Sequence, residues 1–137
     1  MKRNLFISIL TLVVFTATAQ KSDTLKGLAA DTLIFTSVQQ EPEFPTGLDN
    51  FYRLLMMNIR YPARAREHHT QGRVIVTMII EKDGSLSQVK VVRGIGDGCD
   101  EESVRVIKLS PPWKPGMQNG RPVRVAYSIP ISFRLTR

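Results

Sequence analysis
The chain has 137 residues and a formal net charge of +7, with 19 Lys plus Arg set against 12 Asp plus Glu. That length supports one domain with a real core and no more. An apolar content of 42% excludes a disordered or collagen-like chain, and a single Cys excludes an internal disulfide framework and any CxxC zinc site.

Residues 1–19 read as a signal peptide. Lys2 and Arg3 precede an uncharged, largely apolar run over residues 5–15, and Ala17-Thr18-Ala19 matches a small-x-small cleavage site. The run is shorter than the roughly 20 residues of a bilayer-spanning helix. Cleavage and export in soluble form are therefore expected, with an uncleaved membrane anchor as the alternative. No Cys follows the run, which excludes a lipoprotein. Loss of Lys2 and Arg3 leaves a charge of +5.

Residues 20–40 form a short linker, mixed and polar, with an extended-looking piece over 32–38. The domain proper covers 41–137. Glu41-Pro42-Glu43-Phe44-Pro45 cannot be helical, because each Pro disfavours helix in the residue before it. Thr46 with Asp49 then resembles a capping box. Leu48, Phe51, Leu55 and Ile59, with Tyr52 and Leu54 beside them, give a helical apolar stripe. Tyr61-Pro62 ends it and opens a short second helix through about His68.

Residues 73–81 form a strand in which Val74, Val76, Met78 and Ile80 alternate with Ile75, Thr77 and Ile79. Lys82-Asp83-Gly84 is a hairpin turn, and the return strand covers about 85–93. After a Gly-rich connection, Asp100, Glu101 and Glu102 sit at the positive end of a helix, with Arg105 and Lys108 nearer its negative end. Val104, with Ile107 or Leu109, would form its buried side. Cys99 reads as a small buried filler. Pro111-Pro112 stops the helix, and Trp113 reads as a core anchor at its exit.

The clearest signal is the last one. Val123, Val125, Tyr127, Ile129, Ile131, Phe133 and Leu135 fall at strict spacing of two, interleaved with Arg124, Ala126, Ser128, Pro130, Ser132 and Arg134. This is a long half-buried strand. Pro130 has no N–H to donate, which argues for an edge strand. The expected fold is α+β. A three-stranded antiparallel sheet in the order second, first, last carries helices on one face.

Chemistry candidates are few. His68 and His69 are adjacent at a helix end, where an i, i+4 spacing would suit a shared metal better. Gly94-x-Gly96-x-Gly98 places its third glycine one residue too early for a dinucleotide loop. Nothing resembles a catalytic triad. No catalytic residue, metal or cofactor is expected, and the chain does not read as an enzyme. Charge is polarised. Residues 20–102 carry 10 basic and 12 acidic side chains, whereas residues 103–137 carry seven basic ones and no acid. Export and the absence of an RNA-binding aromatic motif argue against nucleic acid, leaving an acidic peptide as the favoured partner.

Tyr61-Pro62-x-x-Ala65, Gly72-x-Val74-x-Val76, Asp83-Gly84, Val89 to Val92, Trp113-Lys114-Pro115-Gly116 and the closing strand resemble, in that order, the TonB C-terminal domain family. The entry Glu43-Phe44-Pro45-x-Gly47 resembles one branch of it. The resemblance implies a periplasmic module that grips the N-terminal segment of outer-membrane transporters by β-strand addition to its last strand. It passes on energy from inner-membrane motor proteins. It carries a peptide-binding role to Arg60, Tyr61, Pro62, Arg121, Val123, Arg124, Val125, Ala126, Tyr127, Ser128 and Ile129. Full transducers have an anchor and a long Pro-rich spacer, neither of which is legible here. A periplasmic regulator or decoy that binds without transducing is thus the alternative. The exposed edge could also pair two copies of this chain as a homodimer.

Overall fold
The computed structural model describes residues 31–136. They form β1 (Ile34–Phe35), α1 (Leu48–Asn58), α2 (Ala63–Glu67), β2 (Gly72–Ile80), β3 (Leu86–Arg93), α3 (Cys99–Ile107), β4 (Gly116–Gln118) and β5 (Arg121–Phe133). The expected signal peptide and the expected linker as far as residue 30 lie outside the described residues.

The sheet runs β1-β5-β2-β3. Its β3-β2-β5 part is the expected three-stranded antiparallel sheet with the first strand central. Two short strands join it. β4 makes a hairpin with β5, and β1 lies parallel to β5. The hairpin turns at Asn119 and Gly120, both with positive φ, as a two-residue turn matched to strand twist requires.

Alternation along β2 and β5 puts their apolar sets on one face. Register places Val74 opposite Ile131, Val76 opposite Ile129 and Ile80 opposite Val125, and all six are buried. Each such burial contributes about 1.5–3 kcal/mol before entropy is counted. α1 covers this face with Phe51 and Leu55. α3 covers it with Cys99, Val106 and Ile107.

Two local expectations are corrected. Gly47, not Thr46, is the N-cap of α1, at φ 89, and no side chain caps it. The Thr46 carbonyl instead accepts a bond from Asn50 Nδ2 at 2.7 Å. On α3 the buried positions are Cys99, Ser103, Val106 and Ile107, whereas Val104 is half-buried and Leu109, just beyond it, is exposed. Burying Ser103 is tolerated because its hydroxyl donates to the Cys99 carbonyl at 2.7 Å.

Trp113 ties the ends of these elements together. Its ring meets Phe44, Phe51 and Tyr127 at centroid distances of 5.6, 5.0 and 5.3 Å, and its indole N–H donates to Ser110 Oγ at 3.0 Å. Its backbone N–H donates to the Gly84 carbonyl at 2.8 Å. Next to it, Glu43 and Lys114 exchange two backbone hydrogen bonds, as do Gln40 and Met117. This ladder stitches the Pro-flanked entry segment to the chain that enters β4.

Gly84 has φ +84, and a Cβ there would lie 1.8 Å from the Trp113 carbonyl oxygen. Gly84→Ala is therefore expected to cost about 2–3 kcal/mol in urea unfolding, from strain and the displaced Trp113 backbone. Gly120→Ala, whose Cβ would meet nothing within 4 Å, is expected to cost only about 1 kcal/mol of backbone strain. Equal losses would refute this account of the turn.

Candidate functional site
Two strands of the sheet have an unpaired side. β3 is one, but its ladder with β2 is broken by register shifts, and Gln88 sits at φ +47. Such bulges blunt an edge against further pairing. β5 is the other. Its ladder with β2 is unbroken from Val125 to Phe133. Towards its start β5 also pairs with β4, at residues 121–123, and with β1, at Arg124 and Val125; beyond Val125 its only strand partner among the described residues is β2. Pro130 falls within the open stretch, where a missing N–H is least costly.

The expected site residues divide along this strand. Val123, Val125 and Ile129 are buried, so they can offer a partner main chain but no side chain. Ala126 and Ser128 are exposed, and Arg124 is half-buried. Tyr127 is partly buried against Trp113. Arg121 is exposed at the hairpin with β4. Arg60, Tyr61 and Pro62 sit at the opposite end of β5. Tyr61 stacks edge-on to Phe133 with centroids 5.6 Å apart, and its hydroxyl donates to the Thr70 carbonyl. The Arg60 N–H donates to Glu102 Oε1 at 2.6 Å, and Pro62 packs beside Gly98. Nine residue steps along the strand, roughly 30 Å, separate Arg124 from Phe133. The candidates line one edge but do not share one pocket.

Between α1 and the open half of β5 lies an apolar groove absent from the expected set. One cavity of about 230 Å³ is lined by Tyr52, Leu55, Met56, Ile59, Pro130, Ile131 and Ser132. A second, of about 290 Å³, continues past Ile59 and Met56 to Tyr61 and Phe133. Met56 and Met57 are 70% and 79% exposed. The only signal for it in the sequence is this Met pair, out of phase with the core positions Phe51 and Leu55. Flexible thioethers suit a surface that receives varied apolar side chains.

The basic C-terminal third is partly neutralised by acids from earlier in the chain. Arg105 lies on α3 and holds Glu102 through Nη2–Oε1 at 2.6 Å and Nε–Oε2 at 2.8 Å, with a further bond to the Asn58 carbonyl at 2.8 Å. Lys114 lies 3.8 Å from Glu43. Arg124 holds Glu81 through Nε–Oε2 at 2.7 Å and Nη2–Oε1 at 3.0 Å. Arg121 and Arg134 remain exposed at the two ends of β5. The hydrogen bonds from Arg124, aided by Ser87, hold the Glu81 carboxyl below its ordinary range against the opposing effect of burial.

His68 faces Asp97, whose carboxyl also accepts from Thr70, and these contacts lower the Asp97 pKa. Among the described residues no three His, Cys, Asp or Glu side chains converge as metal ligands. Cys99 is buried, and burial pushes its thiol up, which suits a packing residue. Among the described residues no helix is long and apolar enough to cross a membrane.

The sequence model of a family described as Gram-negative bacterial TonB protein C-terminal matches residues 57–135, a span that includes the whole of β5. The chain belongs to the TonB C-terminal domain family. A search of curated proteins found no match. Among solved structures, the chain is similar to two solution structures of the Helicobacter pylori TonB C-terminal domain. The one of residues 179–285 is 25% identical, with a TM-score of 0.47, over 68% of this chain and 88% of that one. The one of residues 194–285 is 26% identical, with a TM-score of 0.49, over 66% and 95%. Family membership assigns the chain to TonB-dependent transport in the cell envelope, through a domain type that is not enzymatic.

The Glu81–Arg124 pair gives a pH test. A carboxyl with a lowered folded pKa adds stability above its unfolded value, and that stability is lost as pH falls through the folded pKa. The Tm gap between the parent chain and Glu81→Gln is expected to be full at neutral pH. It should shrink below the ordinary value of 4.5. A gap unchanged from neutral to strongly acid pH would contradict the pairing.

Proposed function
We propose that this chain is a periplasmic peptide-gripping module of TonB-dependent transport. It binds the N-terminal segment of an outer-membrane receptor as an added strand on β5. The observation that carries this reading is the regular, outward-facing main chain of β5 beyond Val125, lying beside an apolar groove. In strand addition the main-chain ladder provides affinity, and pockets for alternate side chains provide selection. The groove lined by Met56, Ile59, Pro130 and Ser132 would take those alternate side chains. Arg121 and Arg134 would speed encounter with an acidic or polar segment, an effect that weakens as salt rises.

In this reading residues 1–19 direct export and are removed. Any coupling to an inner-membrane motor would pass through chain preceding residue 31. The extended site then contains Arg124, Ala126 and Ser128 at one end and Tyr61 with Phe133 at the other. Arg60 and Pro62 act by seating Tyr61 on α3.

A photo-crosslinker at exposed Ser128, used in the native envelope, is expected to capture an outer-membrane receptor. Capture of only a second copy of this chain would refute the proposal. Met56→Glu, at an exposed position, should leave the unfolding curve unchanged. It should weaken a receptor peptide about tenfold, the scale of one lost apolar contact. Unchanged affinity would remove the groove from the site.

A further inference from the structure
The one stretch of the β5 edge that is covered is covered by the chain itself. β1 runs parallel to β5, pairing Ile34 with Arg124 and Phe35 with Val125. Polar contacts hold the residues just before it. Arg124 Nη1 donates to the Thr32 carbonyl at 3.2 Å while the rest of its guanidinium holds Glu81. Lys82 Nζ forms an ion pair with Asp31. Asp31, Glu81, Lys82 and Arg124 border one cleft at this end of the sheet.

This strand is held shallowly. It is two residues long, Leu33 and Ile34 are 54% and 43% exposed, and only Phe35 of the pair is half-buried. Such a segment, free in solution, would bind the edge only weakly. Its tether keeps it there. Residues 36–39 connect it to the Gln40–Met117 bridge, and Gln39 is fixed to the hairpin tip. The Asn119 N–H donates to Gln39 Oε1 at 2.8 Å, and the Gln39 N–H donates to Gln118 Oε1 at 2.9 Å. A tether that short gives a high effective concentration, so weak contacts remain populated yet open to displacement.

We propose that residues 31–36 are an intramolecular pseudo-ligand, occupying the first subsite of the edge on which a receptor strand is added. The proposal rests on the strand-addition reading and deepens it in two ways. It assigns the cleft of Lys82 and Arg124 as the subsite for an acidic side chain three residues ahead of the first paired apolar residue. It also makes self-occupancy a tax on binding, since apparent affinity falls by the fraction of molecules whose edge is open. The preferred partner is thus a parallel strand that begins with an acid and continues with β-branched or aromatic residues. Such a strand displaces β1 and then extends over the open edge beyond Ala126.

The test compares the full chain with its Ile34→Pro variant, which breaks β1 at an exposed position. The probe is a labelled peptide copying residues 31–36, with a scrambled peptide of the same composition as control. The variant is expected to bind the copy about tenfold tighter than the parent, as for an edge that is about 90% self-occupied. It should ignore the scrambled peptide, and adding Lys82→Glu should lose the gain. Equal binding of the copy by parent and variant overturns self-occupancy. No binding of the copy by the variant overturns it as well, and a receptor peptide run alongside separates the two failures. If that peptide still binds and crosslinks at Ser128, strand addition stands without the pseudo-ligand; if it does not, strand addition falls too. Self-association that rises with concentration in the parent and disappears in the variant assigns β1 to a second copy, which overturns the intramolecular form.

Discussion
A backbone amide must be paired or hydrated, and the placement of β2 decides which of these holds for β5. β2 is bonded on both sides, to β3 and to β5, so the longest strand of the sheet is left with one side outward. Thirteen residues of β5 present a row of N–H and C=O groups that the fold itself pairs only at its start. Edges of this kind invite indiscriminate pairing, and proteins blunt them with prolines, charges or covering segments. All three devices occur here, as Pro130, the flanking arginines and β1. What they leave is an edge that is restricted rather than closed.

The rest of the molecule serves to present that edge. Trp113, locked to Gly84 through the main chain and packed among Phe44, Phe51 and Tyr127, fixes the β2–β3 turn against the chain entering β4. The Glu43–Lys114 and Gln40–Met117 bridges fix the incoming chain to the same place. Just before Gln39, β1 lies against the Arg124 end of β5. The opposite end is set by Tyr61 against Phe133, with α1 leaving its apolar groove between them. One end of the edge is therefore self-covered beside the Glu81–Arg124 pair, and the other is open, with an apolar groove and exposed Arg134 beside it.

Most of this architecture was legible from residue patterns. The spacing of two along β5, the Asp83-Gly84 turn and the central β2 follow from side-chain alternation and turn chemistry, which are local. The edge character of β5 followed from a single Pro130. The misses share a cause. Asn119-Gly120 is a strong turn dipeptide, but β4 is only Gly116–Gln118 and carries no alternation to mark a strand. β1 falls inside the extended piece read over 32–38, but its parallel pairing with a strand some ninety residues later is a tertiary fact. The capping box failed because a positive φ at Gly47 sets the entry to α1. The groove could not be read, since Met56 and Pro130 become neighbours only when α1 crosses the sheet. Charge misled in part. The seven late cations looked like one basic surface, whereas Arg105, Lys114 and Arg124 are paired with Glu102, Glu43 and Glu81.

The central claim is that a partner strand takes up the free main chain of β5. Amide hydrogen exchange of the full chain, measured with and without a peptide from the N-terminal segment of an outer-membrane receptor, tests it directly. The account predicts new protection at alternate amides between residues 126 and 132, with the β3 amides unchanged. Protection that appears on β3 or α3 while the β5 amides exchange as before would contradict it.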